Sequence, residues 1–265
     1  MKNKKEVFGT YEWAVENANF INGCQHDCKY CYSKEMAIRF KRKTTDNWNQ
    51  EEVNLVQLKK KAKKADGYIM FPSSHDITPI NLKYTVSFLR KLLEAGNNVL
   101  IVTKPHFEVI EKICSIFTEY KSNILFRFTV GSINTNTLKF WEPNAPDYYE
   151  RKKCIIHAFQ NGYSTSISCE PMLDNTTIEL VNDLYPYVTN SIWIGKANFL
   201  LRRLKMNGVT DIETLKQAND LISLQSDENI RILYNELCNN PKIKWKESIK
   251  KVLQIEISTI KGLDE

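Results

Sequence analysis

Long hydrophobic runs are missing from this sequence of 265 residues, and no window approaches the ~18 uncharged apolar residues that a membrane span needs. The basic amino-terminal stretch runs into Glu6, Glu12 and Glu16 and has no apolar segment of the kind found in a signal peptide. Glycine (9) and proline (8) are too sparse for collagen, a flexible linker or a low-complexity tail. We therefore expect a soluble, cytoplasmic protein that has no membrane partner.

The remaining composition is that of a globular protein, with 42% hydrophobic and 26% charged residues. A chain of this length buries one sizeable core or two small ones, so its stability requires no disulfide or metal. The net charge of +6 comes mostly from basic stretches at residues 39–43, 59–64, 202–205 and 242–251. Such stretches are typical of proteins that bind polyanions, and also of solvated helix faces.

Short β-branched runs alternate with helical stretches as far as about residue 198, and this alternation is typical of a parallel sheet covered by helices. Strands are predicted at 18–22, 67–71, 98–103, 124–131, 163–170 and 191–195, and helices at 52–65, 82–95, 107–120, 147–160 and 177–185. We predict an α/β fold, a partial (β/α)6 barrel of the TIM type, over residues 1–198. A helical carboxy-terminal extension follows over residues 199–265, with helices at 212–224, 227–238 and 245–257.

An odd number of cysteines, seven, argues against a disulfide framework and favours reduced thiols, some of them metal ligands. Cys24, Cys28 and Cys31 form a C-x-x-x-C-x-x-C motif directly after the first predicted strand. A closed zinc site prefers four ligands, and here only His26, inside the same loop, is available as the fourth. Three cysteines on a 4Fe-4S cluster leave one iron open, as a reactive metal site requires, so the spacing favours a cluster over zinc or unrelated thiols. Three other histidines lack a partner at ligand spacing and are predicted to be loop or packing residues: His75, His106 and His157.

This loop resembles that of the radical S-adenosylmethionine (SAM) superfamily, in which the same motif follows the first strand of a partial barrel. The resemblance implies that Cys24, Cys28 and Cys31 hold a 4Fe-4S cluster whose open iron binds SAM. In that superfamily an electron from the cluster cleaves SAM to methionine and a 5′-deoxyadenosyl radical, which abstracts hydrogen from the substrate. The resemblance also implies lyase-type or oxidoreductase-type radical chemistry and a reductant such as flavodoxin or ferredoxin.

Further stretches resemble the spore photoproduct lyase branch of that superfamily, also described as DNA repair photolyase-like. The resemblance covers about residues 17–195, and the stretches that carry it come in the same order along the chain: Cys28–Tyr32 (CKYCY), Phe71–Asp76 (FPSSHD), Ile101–Lys104 (IVTK), Phe126–Ser132 (FRFTVGS), Trp141–Pro143 (WEP) and Glu150–Arg151. This resemblance implies a nucleotide or nucleic acid as the substrate.

The resemblance to that branch also implies a set of cofactor-binding residues. Lys104 and Thr129 are implied to contact the carboxylate of SAM, and Asp76 either contacts ribose or substrate or caps the helix that follows it. Glu142 and Arg151 either orient ribose or clip a loop as an ion pair. The full cofactor-binding set is Tyr32, Ser73, Asp76, Lys104, Thr129, Ser132, Glu142 and Arg151.

One departure from the branch concerns the hydrogen-atom donor. The lyase has a cysteine where this sequence has Ser73, and a serine hydroxyl is a far poorer hydrogen-atom donor than a thiol. We therefore expect a reaction other than thymine-dimer repair. Cys169, at the end of the fifth predicted strand beside Glu170, is the candidate replacement; a buried strand cysteine is the alternative, and Tyr30 or Tyr32 would then relay the hydrogen.

A phage-associated radical SAM family of unassigned chemistry is also similar in three places: Tyr32–Ala37 (YSKEMA), Ser168–Met172 (SCEPM) and Ser191–Gly195 (SIWIG). Taken together, the sequence predicts a radical SAM enzyme that abstracts hydrogen from a nucleotide or nucleic acid. Two alternatives remain open. One is the same chemistry on a peptide or small metabolite, and the other is a non-catalytic iron-sulfur or zinc module that binds nucleic acid.

Overall fold

The structure is a computed structural model that describes residues 5–263. Its strands are β1 (Glu16–Asn17), β2 (Ile21–Asn22), β3 (Glu52–Val53), β4 (Tyr68–Phe71), β5 (Asn98–Thr103), β6 (Ile124–Thr129), β7 (Ser164–Cys169), β8 (Ile192–Ile194) and β9 (Ile243–Trp245). Its α-helices are α1 (Tyr32–Arg39), α2 (Leu55–Lys59), α3 (Leu82–Glu94), α4 (Phe107–Ile116), α5 (Thr135–Trp141), α6 (Tyr148–Gln160), α7 (Thr177–Leu184), α8 (Leu200–Met206), α9 (Ile212–Leu224), α10 (Asp227–Leu237) and α11 (Glu247–Leu253). None of the helices within residues 5–263 is both long and apolar enough to cross a membrane.

Seven strands form one parallel sheet in the order β1-β4-β5-β6-β7-β8-β9, so that β1 and β9 are its two edges. Strands β2 and β3 form a separate antiparallel pair. Parallel neighbours need a crossover, and helices α3, α4, α6 and α7 lie in the crossovers from β4 to β8. The predicted α/β fold with a partial barrel is confirmed.

The two faces of the sheet carry two hydrophobic clusters, because side chains alternate between faces along a strand. The smaller cluster fills the concave face: Trp13, Ala14, Met70, Leu100, Leu125 and Trp193. The guanidinium of Arg127 also lies there, with its Cζ 4.7 Å from the ring centre of Trp13 and 5.2 Å from that of Trp193. The larger cluster lies between the sheet and the helices and includes Phe71, Ile101 and Phe128.

Three local predictions were wrong. The predicted first strand is divided between β1, which pairs with β4, and β2, which pairs with β3. The predicted helix at 52–65 forms only over Leu55–Lys59, because side chains of other elements bind the carbonyl groups of the lysine-rich segment that follows. The predicted helix at 245–257 begins at Glu247, since Ile243–Trp245 alternates apolar and polar residues and joins the sheet as β9.

Candidate functional site

A cavity of about 300 Å³ opens where the parallel strands end, at the edge where functional groups gather in barrels of this kind. Residues just beyond or at the ends of β4, β5, β6, β7 and β9 line it, together with the loop that joins β2 to α1. It contains ten of the residues predicted from sequence: Cys24, Cys28, Tyr30, Cys31, Tyr32, Ser73, Asp76, Lys104, Thr129 and Glu170. The fold thus brings most of the predicted site into one place.

The loop from β2 to α1 holds the three cysteines in a fixed backbone. It begins at Gly23, which has φ +96°; a Cβ there would lie 2.5 Å from the carbonyl oxygen of Gln50. Only glycine fits such a position. At its other end Cys31 is the N-cap of α1, and its Sγ accepts a hydrogen bond from the backbone N–H of Lys34 at 3.4 Å. This contact and the helix dipole favour the thiolate.

The chemistry of the three thiols fits a positively charged metal group. All three cysteines are free, and burial raises the pKa of each. Cys24 is also close enough to Asp76 and to the other two thiols for their charges to raise its pKa further. A bound cation would stabilise the thiolates that burial and mutual repulsion disfavour. Within residues 5–263, no three Cys, His, Asp or Glu side chains converge on a point suited to a single ion.

Asp76 ties the end of β4 to the end of β5. Its Oδ1 accepts hydrogen bonds from the backbone N–H of Ile77 and from the hydroxyl of Thr103, and its Oδ2 accepts one from the backbone N–H of Lys104 at 3.0 Å. Burial would raise the pKa of this carboxyl group, but His26, whose Nδ1 lies 3.2 Å away, together with Lys104 and Thr103 holds it well below its usual value. Asp76 therefore holds the walls of the cavity together, and does not cap α3.

Lys104 extends over the Tyr30 ring, with its Nζ 5.8 Å from the ring centre and 3.8 Å from Oε1 of Glu142. The side chain is 16% exposed and lines the cavity. Burial works against its charge, but Cys28, Glu142 and Asp76 raise its pKa above the usual value. Thr129 lines the same cavity. An ammonium group and a hydroxyl group are thus available there to an anionic group.

Glu142 and Arg151 form a fully buried ion pair behind the cavity wall, with 2.5 Å between Arg151 Nη2 and Glu142 Oε2. Arg151 also donates from Nη1 to the carbonyl oxygen of Thr129 at 3.1 Å, and Glu142 accepts a hydrogen bond from the hydroxyl of Tyr30. Of the two predicted roles, the structure shows the clip. The pair fixes Tyr30 and the end of β6, and neither residue lines the cavity.

Two further predicted site residues lie outside the cavity, as Glu142 and Arg151 do. Cys169 is fully buried in the cluster between the sheet and the helices, beside Thr177, and Ser168 lines the cavity in its place. Alternation along β7 is the reason, because neighbouring residues of a strand point to opposite faces. Ser132 donates to Oδ2 of Asp174 at 2.5 Å and belongs to the adjacent loop. The expectation that Cys169 supplies a thiol to the cavity was wrong.

Lys246 is a cavity residue that the sequence analysis missed. It follows β9, is 1% exposed, and places its Nζ 2.5 Å from Oε1 of Glu12 and 3.6 Å from Oε2 of Glu170. The sequence places it in the basic stretch 242–251, whose lysines were read as a polyanion-binding or solvated face. The alternating Ile243–Trp245 directly before it is the signal that would have indicated a strand end.

His26 and His75 also line the cavity, and His75 is at the same time a packing residue, as predicted. His26 Nε2 lies 3.0 Å from Nε2 of His106, which connects the cysteine loop to the start of α4. The ring of His75 packs edge-on against Phe20 and Phe71, and its Nδ1 lies 3.0 Å from the carbonyl oxygen of Asp76. Its buried Nε2 has no hydrogen-bond partner within residues 5–263.

Comparison with solved structures identifies the fold. Spore photoproduct lyase complexed with dinucleoside spore photoproduct superposes with a TM-score of 0.55 at 14% identity, covering 92% of this chain and 79% of that one. SuiB of Streptococcus suis bound to S-adenosylmethionine gives 0.53 at 12% identity, covering 94% of this chain and 54% of that one. This chain has their fold. The resemblance to spore photoproduct lyase drawn from the sequence is thus confirmed at the level of the fold.

Sequence comparisons are less informative. No protein-family model matches the chain. A curated relative, the uncharacterized protein ORF301 of Acidianus two-tailed virus, is 24% identical over 250 residues, which cover 88% of this chain and 81% of the viral protein.

Proposed function

We propose that this protein is a radical SAM enzyme that binds a 4Fe-4S cluster through Cys24, Cys28 and Cys31. The observation that carries the proposal is that three free thiols share one cavity with Lys104 and Thr129 at the carboxyl ends of a partial barrel. The fold shared with spore photoproduct lyase and with SuiB supports it. When bound, the cluster and SAM together supply one-electron reduction and abstraction of hydrogen from a substrate.

The protein's own residues would bind and orient SAM. The ammonium of Lys104 pairs with its carboxylate, and the hydroxyl of Thr129 donates a hydrogen bond to the same group. Glu142 contacts the ammonium group of Lys104 from outside the cavity. The ammonium group is therefore held in position before SAM binds. Trp13 and Met70 give the cavity apolar walls that exclude water.

For the substrate we propose a nucleotide or nucleic acid. The structure of spore photoproduct lyase with a dinucleoside supports this class, whereas SuiB bound to the precursor peptide SuiA supports a peptide as the second candidate. Ser73 replaces the thiol of the lyase, so we propose a reaction other than thymine-dimer repair. Burial raises the pKa of Glu170, which lies in the cavity beside Lys246 and would hydrogen-bond the substrate.

Because Cys169 faces the helices, Tyr32 and Tyr30 become the proposed hydrogen relay. Both line the cavity. Tyr30 donates to the buried Glu142, whereas Tyr32 is 42% exposed and donates to the carbonyl oxygen of Ser73. The phenol of Tyr32 is therefore the more accessible of the two. We also propose a flavodoxin or ferredoxin as the physiological reductant.

The deciding experiment is anaerobic reconstitution with iron and sulfide, followed by dithionite and SAM, with chromatography for 5′-deoxyadenosine. Wild-type protein should form 5′-deoxyadenosine, and Cys28→Ala should form none. Cys238→Ala, which changes an exposed cysteine, is the matched control and should behave as wild type. Stoichiometric zinc without iron-sulfur absorption, or a reconstituted cluster that leaves SAM intact, would overturn the proposal.

A further inference from the structure

A basic groove with a cavity volume of about 720 Å³ runs along the open edge of the sheet, beside β1. Four exposed cations line it: Arg42, Lys60, Lys61 and Lys63. Within residues 5–263 none of the four makes an ion pair, and Glu16 is the one carboxylate among the described lining residues. Because these charges are not neutralised by the protein, they favour an anionic occupant.

The lysine-rich wall of the groove is held in place through its backbone. Lys91 on α3 donates to the carbonyl oxygens of Leu58 and Lys60. Asn97 donates from Nδ2 to the carbonyl oxygen of Lys63 at 3.1 Å and accepts at Oδ1 from the N–H of Ala65 at 2.8 Å. The segment has no regular secondary structure after α2, yet these contacts fix its path and leave the lysine side chains exposed.

The groove connects with the candidate active site. A second cavity, of about 250 Å³, shares Asn17 and Arg42 with the groove and shares Tyr32 and Ser73 with the site. Ser74 lines all three. Through the second cavity, the groove therefore adjoins the cavity that holds the cysteines.

The other groups on this path favour a nucleic acid over an acidic peptide. The side-chain amides of Asn22 and Gln57 line the groove and make no hydrogen bond within the described part of the chain. Amides of this kind pair with base edges. At the junction with the site stands Tyr32, an exposed aromatic ring of the type on which unpaired bases stack.

We propose that this groove binds the phosphodiester backbone of a single-stranded nucleic acid and leads one nucleotide past Ser74 into the candidate active site. A single strand suits this route because its bases are unpaired, whereas a base inside a duplex reaches such a pocket only after extrusion. The chemistry at the end of the path rests on the proposed function. Binding in the groove does not depend on it.

The test measures fluorescence anisotropy of a labelled single-stranded oligonucleotide with the full-length protein lacking cluster, over a series of salt concentrations. The groove variant combines Lys60→Glu, Lys61→Glu and Lys63→Glu. The control variant carries the same charge change at exposed lysines outside the groove: Lys112→Glu, Lys205→Glu and Lys216→Glu. A second groove variant, with glutamine at the same three positions, removes the charge without reversing it.

We expect the groove variant to bind the oligonucleotide at least about tenfold more weakly at low salt. Each contact with a phosphate of a single strand contributes about 0.7 to the slope of log affinity against log salt. Loss of the three lysine contacts should therefore make that slope less steep by about 2. The glutamine variant should change in the same direction, and the control should stay near wild type. Equal loss in the control, wild-type binding by the groove variant, or equally effective competition by polyglutamate would each overturn the inference. SAM cleavage without substrate is measured separately on reconstituted protein. A failure of the proposed function would therefore not change the interpretation of the binding result.

Discussion

Lys246 and Glu12 form a buried ion pair that joins the carboxy-terminal and amino-terminal parts of the chain, with 2.5 Å between Lys246 Nζ and Glu12 Oε1. Lys246 also donates to the carbonyl oxygen of Gly9 at 2.9 Å and lies 3.6 Å from Glu170. The carboxy-terminal part of the chain thus contributes an edge strand to the sheet and a charged side chain to the cavity. It therefore forms part of the site itself.

Removing this lysine should destabilise the protein strongly. Lys246→Met leaves the carboxylate of Glu12 buried without its ion-pair partner, and loss of one partner of a buried pair costs about 3–5 kcal/mol. Urea unfolding of the apoprotein measures the loss. Lys244→Met changes a half-buried lysine in β9, two residues before Lys246; it is the control and should cost much less.

Adding Glu12→Gln to Lys246→Met should recover part of the lost free energy of unfolding, because the second change removes the uncompensated charge. Equal losses in Lys246→Met and Lys244→Met, or no recovery in the double variant, would show that the pair does not stabilise the fold.

Each of the three loop cysteines should be necessary for the cluster. Cys24→Ala, Cys28→Ala and Cys31→Ala should each abolish the iron-sulfur absorption after anaerobic reconstitution, since each change removes one of the three protein ligands of the cluster. Iron and sulfide analysis with the visible spectrum measures this. Cys114→Ala changes a cysteine in the core between sheet and helices and should retain the cluster. A variant that keeps full absorption would remove that cysteine from the ligand set.

How far the sequence predicts this site depends on how local each signal is. The cysteine spacing and Lys104 at a strand end follow from short stretches of chain, and the structure places them in one cavity. The predicted orientation of Cys169 was wrong because a position at the end of a strand does not determine which face of the sheet the side chain occupies. The register of the strand determines the face. Lys246 was missed because β9 is three residues long and pairs with a strand that lies 51 residues earlier in the chain, as in the pair Ile194 and Trp245.

Lys104 should contribute directly to SAM binding. A charge-assisted hydrogen bond contributes about 1.5–3 kcal/mol, so Lys104→Ala should weaken binding by roughly ten- to a hundredfold while the cluster remains. Equilibrium dialysis of SAM against the reconstituted protein measures the dissociation constant. Lys196→Ala changes another lysine of the cavity, one that pairs with Asp227 at 3.5 Å, and should have a smaller effect. An unchanged dissociation constant in Lys104→Ala would remove this lysine from the SAM site.

His75 should make the stability of the apoprotein depend on pH. Burial lowers the pKa of its imidazole from 6.5 to about 4. Between pH 6.5 and pH 4 this histidine is protonated in the unfolded chain but remains neutral in the folded chain. The free energy of unfolding should therefore fall by about 3 kcal/mol as the pH drops from 6.5 to 4. Above pH 6.5 the histidine is neutral in both states and this contribution is constant.

Urea unfolding at several values between pH 4 and pH 7 measures that slope. His75→Asn should make it shallower, whereas His157→Asn, in α6 outside the cavity, serves as the matched histidine control. If His75→Asn kept the wild-type slope, protonation of this histidine would not be what destabilises the protein in acid.

Tyr32, and not Cys169, should be the residue that returns hydrogen to the product radical. Because Cys169 lies beside Thr177 in the layer between sheet and helices, Cys169→Ala should leave both SAM cleavage and the product unchanged and should cost only about 1 kcal/mol of stability. Tyr32→Phe removes the phenol at the cavity and should leave SAM cleavage intact while stalling or diverting the product radical. Product analysis by mass spectrometry with an oligonucleotide substrate distinguishes the two variants. An altered product in Cys169→Ala together with a normal one in Tyr32→Phe would reverse the assignment and require the thiol to reach the cavity.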